Sequence, residues 1–248
     1  MSTFATLFTL STSTTSPFQG DKSLLENALA SYMICRRNNG PAYCNHYKTP
    51  HGVAFGHINT WCTAGITDMS YLFDGKSTFN ENIGDWDVSS VENMDYMFYY
   101  ARAFNQNIGH WDTSSVTTME AMFLYAHAFN QDIGGWDVSS VTSMFGMFGY
   151  ARAFNQDIGG WDLSSVTTIG GMFLYAEAFN QNLCGWDVSS VNTNICTPTV
   201  CAPWWLGGGC LGGECSLSPL IASIFFGSGC QNTTTPTDAS DDFCQPCN

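Results

Sequence analysis

The chain has 248 residues and a formal net charge of -14, from 7 Lys and Arg against 21 Asp and Glu, and it is 44% hydrophobic and 15% aromatic. That apolar content suffices for one domain with a sizeable core and excludes disorder throughout. Nucleic acids and anionic membrane surfaces both require clustered Lys and Arg, and the last basic residue here is Arg152, so neither partner is expected; cations or basic proteins fit better.

Residues 1–20 are rich in Ser and Thr and read as a leader. Met1 to Pro17 makes a poor signal peptide, because it lacks a basic start and its apolar run is broken by Thr6 and Thr9. From Asp21, an N-cap residue, the stripe Leu25, Ala28, Leu29, Tyr32 and Met33 predicts a helix. Arg36 and Arg37 suit its C-terminal end, and Asn39-Gly40-Pro41 stops it. Residues 21–55 are therefore expected to form an N-terminal helical cap.

Residues 56–195 carry a repeat. Trp61, Trp86, Trp111, Trp136, Trp161 and Trp186 are spaced by 25 residues, and Phe79, Phe104, Phe129, Phe154 and Phe179 keep the same step. Each of these phenylalanines is followed by an Asn of a second column: Asn80, Asn105, Asn130, Asn155 and Asn180. A fixed period of this size marks an array whose units bury their apolar faces by stacking on one another. The indoles and methionines then form an internal core rather than a ligand box.

The spacing changes character inside a period. Between Ile133 and Val138 apolar and polar residues alternate, which predicts a short strand. From Val141 the apolar residues are Met144, Met147, Phe148 and Ala151, a spacing that predicts about two helical turns. Thr67, Thr117, Thr142 and Thr167 stand where a hydroxyl could cap that helix, and Thr117 with Glu120 fits a capping box. Gly134 and Gly159 are expected to permit the bend before the strand. The expected fold is an α/β solenoid of short parallel strands and short helices in five to six turns, with a cap at each end.

The phrases FNQDIGGWDVSSVTSMFGMF and GHINTWCTAGITDMSYLF resemble the repeats of the BspA-like surface proteins, a branch of the leucine-rich-repeat group, over Gly56 to Val191. The resemblance implies a right-handed leucine-rich-repeat-like coil, a secreted or surface location, roles in binding and no catalysis.

After Val191 the pattern fails, and Pro198 blocks its continuation. Residues 196–248 are rich in Cys and Gly and read as a C-terminal cap or the start of a second module. Of 11 cysteines, Cys35, Cys44 and Cys62 precede the regular repeats, and Cys184, Cys196, Cys201, Cys210, Cys215, Cys230, Cys244 and Cys247 come after the repeats begin to end. Placed where stacking stops, they suggest disulfide-stapled ends made in an oxidising compartment, with an odd thiol left over. Cys244 and Cys247 form a C-x-x-C pair, but no second pair or downstream His accompanies them, so zinc is disfavoured. Asn232-Thr233-Thr234 is a glycosylation acceptor. Pro219 to Phe226, an apolar run in this tail, is far below the ~20 residues a spanning helix needs, so membrane insertion is not expected.

The clearest candidate ligand face is the column Asp87, Asp112, Asp137, Asp162 and Asp187 with its companions Ser89, Ser114, Ser139, Ser164 and Ser189. Like charges one strand spacing apart, ~4.8 Å, repel, so something must offset them. Either each carboxylate accepts hydrogen bonds in an Asp-x-Ser-Ser turn, or calcium bridges neighbours. A flat hydroxyl-rich and acidic face also admits protein, glycan, mineral or ice as partner. The Asn column suits an internal amide ladder joining turns. His110 and His127 fall in variable slots, and no nucleophile elbow, phosphate loop or zinc-protease motif is present. We expect a non-catalytic interaction protein at the cell surface or outside the cell, with a self-associating structural subunit as the alternative and no cofactor.

Overall fold

The computed structural model describes residues 18, 20–39, 57–183 and 185–191. Expectations placed on residues 1–17, on Cys44, Cys184, Cys196, Cys201, Cys210, Cys215, Cys230, Cys244 and Cys247, on Asn232 and on residues 196–248 lie outside these; Phe18, assigned to the leader, is buried.

The N-terminal helix α1 spans Lys22–Asn39. Asp21 caps it, its Oδ1 accepting from the Ser23 amide at 2.8 Å and the Ser23 hydroxyl at 2.6 Å. Leu25, Ala28, Leu29, Tyr32 and Cys35 form its buried side, and Cys35 is disulfide-bonded. This side meets the first indole: Tyr32 packs edge-on to Trp61 with centroids 5.8 Å apart, and Phe18 lies at the same distance.

Beyond α1 the periods lie against one another as equivalent layers. The Phe73, Phe98, Phe123, Phe148 and Phe173 rings stack at 5.1 to 5.7 Å. Phe79, Phe104, Phe129, Phe154 and Phe179 stack beside them at 5.9 to 6.0 Å. Within a period the two columns touch, as with Phe123 and Phe129 at 3.9 Å. The indoles form a third column, with Trp61 and Trp86 at 6.3 Å and Trp111 and Trp136 at 6.4 Å. Burying a large apolar side chain contributes about 1.5–3 kcal/mol, and each ring contact adds roughly 0.5–1.5 kcal/mol, so stability resides mainly in contacts between periods. The indole N–H groups serve the same end: Trp86, Trp136, Trp161 and Trp186 donate to Ile58, Ile108, Ile133 and Ile158 carbonyls, one period back.

The backbone of a period differs from the expected strand and helix. Ile133 to Val138 is not a strand: Gly134 and Gly135 form a turn, with Trp136 N–H bonded to the Ile133 carbonyl. Isolated parallel bridges between periods fall later, at Asp68, Asn93, Thr118, Ser143 and Thr168. Where two helical turns were expected, successive tight turns stand instead. In the first period Leu72 N–H bonds to the Met69 carbonyl and Asp74 N–H to that of Tyr71, while the alternate amides of Met69, Tyr71, Phe73 and Gly75 donate to Asn93, Asp95, Met97 and Tyr99 in the next period. Those amides leave the period, so no helical i to i-4 ladder forms. Left-handed residues recur at two positions per period, Tyr71, Tyr96, Ala121, Gly146 and Gly171 at one and Gly75, Tyr100, Tyr125, Tyr150 and Tyr175 at the other. This succession of turns buries Met144, Met147, Phe148 and Ala151 with the same spacing that a helix would.

Two local expectations change with it. Thr117, Thr142 and Thr167 hydroxyls donate to the carbonyls of Glu92, Thr117 and Thr142, and Glu120 accepts from the Tyr96 hydroxyl, so neither cap nor capping box forms. Gly134 keeps negative φ, and its need is close approach: a Cβ there would lie 2.6 Å from the Asp157 carbonyl oxygen of the next period. Gly84 meets the Asn107 oxygen at 2.7 Å in the same way, and Gly109 and Gly159 meet those of Asp132 and Asn182.

Candidate functional site

Among the described residues the interior of the repeats is filled by apolar side chains, and the Asp and Ser columns stand on the outside. Asp87, Asp112, Asp137, Asp162 and Asp187 are all exposed, and each Oδ1 accepts from the amide of the Ser two residues on, at 3.0–3.1 Å. The Ser89, Ser114 and Ser139 hydroxyls donate to the same oxygens at 2.6–2.7 Å. Each carboxylate thus closes its own Asx turn, which fixes the backbone between the buried Trp and the following Ser. Serine hydroxyl and then amide hydrogen bonds hold Asp112, Asp137, Asp162 and Asp187 below the usual carboxylate range. Neighbouring carboxylates oppose this weakly at Asp137 and Asp162. Ser89, Ser114, Ser164 and Ser189 are exposed and Ser139 is half-buried on the same side, so the column forms one acidic, hydroxylated face.

The Asn column departs from an amide-to-amide ladder. Asn80, Asn105, Asn130 and Asn155 Oδ1 atoms each accept from the backbone amide of the next Asn at 2.9 Å. A Gln side chain of that next period, Gln106, Gln131, Gln156 or Gln181, donates to the same oxygen at 2.8–2.9 Å. The backbone N–H lacks a turn partner within its own period and takes the side chain of the preceding one. Glutamine supplies the donor that sequence reasoning had given to Asn.

A further face, to which the spacing of charged and apolar residues assigns no role, carries the left-handed tyrosines. Tyr100, Tyr125, Tyr150 and Tyr175 are half-buried with consecutive centroids 4.3, 4.4 and 4.7 Å apart. Their step of 25 and the Ala that always follows were the available signal. Arg102 Cζ stands 5.4 Å from the Tyr100 ring, and Arg152 pairs with Glu177 at 3.3 Å. His110 is exposed; His127 is half-buried, and burial, followed by the Arg152 and Arg102 charges, lowers its pKa. Among the described residues no three His, Cys, Asp or Glu side chains form a metal-ligand set, and no helix is long and apolar enough to cross a membrane. Cys62 is exposed.

A family model described as Mycoplasma protein of unknown function, DUF285, matches residues 45–138 and again 108–196. The chain belongs to this family. The two matches overlap across the central periods, as expected where a model can be laid on a DUF285 repeat in more than one register. No curated protein and no solved structure matches the chain. The DUF285 repeat accordingly brings no assigned chemistry with it.

Proposed function

We propose that the chain is a non-catalytic interaction module, a right-handed leucine-rich-repeat-like solenoid of the BspA-like kind that presents its Asp and Ser columns to a protein or glycan outside the cell. The observation carrying this reading is the repetition of one outward surface over consecutive periods. Asp112, Asp137 and Asp162 stand in register, each fixed by its own turn rather than aimed into a cleft. A preorganised row loses little freedom on binding, and repeated equivalent contacts add as linked sites do. The disulfide at Cys35 supports an oxidising compartment.

Two observations weigh against the alternatives. Phe18 and Tyr32 cover the Trp61 ring, which disfavours stacking between subunits through that end and so favours a discrete module over an end-to-end structural subunit. The Oδ1 atoms of the Asp column already accept Ser donors, which favours Asx turns over calcium bridges.

The test is binding of the purified chain to arrays of glycans and of extracellular-matrix proteins, beside a variant carrying Asp112→Asn, Asp137→Asn and Asp162→Asn. The expected result is saturable binding that falls with rising salt and weakens in the variant. Binding that the triple variant retains in full, or none on either array, would overturn the assignment of this face.

A further inference from the structure

The phenol row lies on a face that neither the core nor the proposed ligand face uses. Tyr100, Tyr125 and Tyr150 occupy one position in successive periods, with centroids 4.3 and 4.4 Å apart and planes inclined by 21° and 16°. Their backbones hold the rings in register, since each amide donates to the next period, to Leu124, Gly149 and Leu174 carbonyls at 2.9, 2.8 and 2.6 Å. The turn itself does not require tyrosine. All three have positive φ, 57°, 63° and 54°, and the first period fills the position with Gly75 at 67°, the residue that adopts this conformation without steric cost.

The stacking also limits what the row can bind. Tyr125 has a phenol against each face, and Tyr100 has Tyr125 on one side and the Arg102 guanidinium near it. A sugar or flat ligand therefore finds ring edges, which carry the hydroxyl and its ortho carbons, instead of open faces. Two phenols held close in parallel are poised for a reaction with each other.

We propose that Tyr125 forms an intrachain dityrosine cross-link with Tyr100 or Tyr150 when a haem peroxidase delivers the oxidising equivalents of hydrogen peroxide. Each phenol gives up its hydroxyl hydrogen as a proton and an electron, leaving two neutral phenoxyl radicals. The radicals join by a carbon–carbon bond ortho to each oxygen, and the hydrogens on the joined carbons move to the oxygens to restore both phenols. One hydrogen peroxide accepts the two electrons and two protons and becomes two waters, so each link costs the protein two hydrogens. Burial and the neighbouring Tyr150 and Tyr100 phenols push the Tyr125 hydroxyl up to about 12. At neutral pH it therefore remains protonated, and loss of a hydrogen atom leaves no charge in the stack. The product ties one period to the next and removes freedom from the unfolded chain as a disulfide does.

The experiment treats the dilute full chain with a haem peroxidase and hydrogen peroxide. Expected are dityrosine fluorescence at monomer mobility on a denaturing gel, an intact mass two hydrogens lighter per link, and a joined peptide containing Tyr125 with Tyr100 or Tyr150. Tyr125→Phe keeps a ring in the stack without the phenol and should lose this intrachain product, whereas Tyr71→Phe, at a separate stacked pair, should retain it. Links mapped only to other tyrosines, covalent dimers without an intrachain product, or an undiminished signal in Tyr125→Phe would overturn the proposal.

Discussion

At the residue scale, two adjacent glycines have opposite meanings. Gly134 faces the Asp157 carbonyl oxygen so closely that a Cβ would sit 2.6 Å away, whereas a Cβ on Gly135 meets nothing within 4 Å. Gly134→Ala is expected to cost about 1–3 kcal/mol, because the backbone of the next period must move aside. Gly135→Ala should stay within about 0.5 kcal/mol of the parent. Denaturant melts of the two variants would check this, and equal losses would mean that layer spacing does not set the requirement. From the sequence Gly134 looked like punctuation before a strand, with nothing to set it apart from Gly135. What separates them is an oxygen 23 residues away, and no local pattern reports it.

At the scale of the element, the turn that opens each period depends on an ionised side chain. Serine hydroxyl and amide donors keep Asp112, Asp137, Asp162 and Asp187 below the usual carboxylate range. A folded-state pKa below the unfolded one contributes stability that is fully present above about pH 4 and is lost as pH falls through the folded value. Melting temperature should therefore decline on acidification below that point. Replacing Ser114, Ser139 and Ser164 with Ala should lower it at neutral pH and flatten the acid limb in part, since the hydroxyl donors, the larger of the two causes, are gone while the amides remain. Parallel pH curves for parent and variant would exclude the carboxylate turns as the cause.

The next element misled the sequence reading for a physical reason. Apolar positions at i, i+3, i+4 and i+7 fit a helix, but turns with left-handed residues such as Tyr96 and Tyr100 bury Met94, Met97, Phe98 and Ala101 equally well. A left-handed residue other than glycine costs roughly 1–2 kcal/mol, so propensity argues against Tyr there. Amide bonds to the next period and the stacked phenols offset that cost, and both exist only after layering.

At the scale of the whole molecule, each central period is bonded on both sides. Met119, Ala121 and Phe123 amides donate forward to Ser143, Phe145 and Met147, while Thr117 and Ala128 donate back to Glu92 and Arg102. Stability in such arrays comes largely from interfaces between nearest neighbours. Amide hydrogen exchange should therefore be slowest across the periods of Trp111 and Trp136 and should quicken toward Trp186. Uniform protection along the repeats would instead indicate a single unit opening only as a whole.

The sequence by itself determined the 25-residue register, the stacked core of Trp, Phe and Met, the N-terminal helix, and the outward Asp and Ser columns. Each follows from identity and spacing along one chain. Only the tertiary structure decided that the layers are built of turns, that Asn pairs with the next backbone and a Gln, and that four glycines answer to distant carbonyls. It also brought the tyrosines into a row. These features arise between residues 23 to 26 positions apart, where the partner atom belongs to another layer and becomes a neighbour only once the periods have stacked.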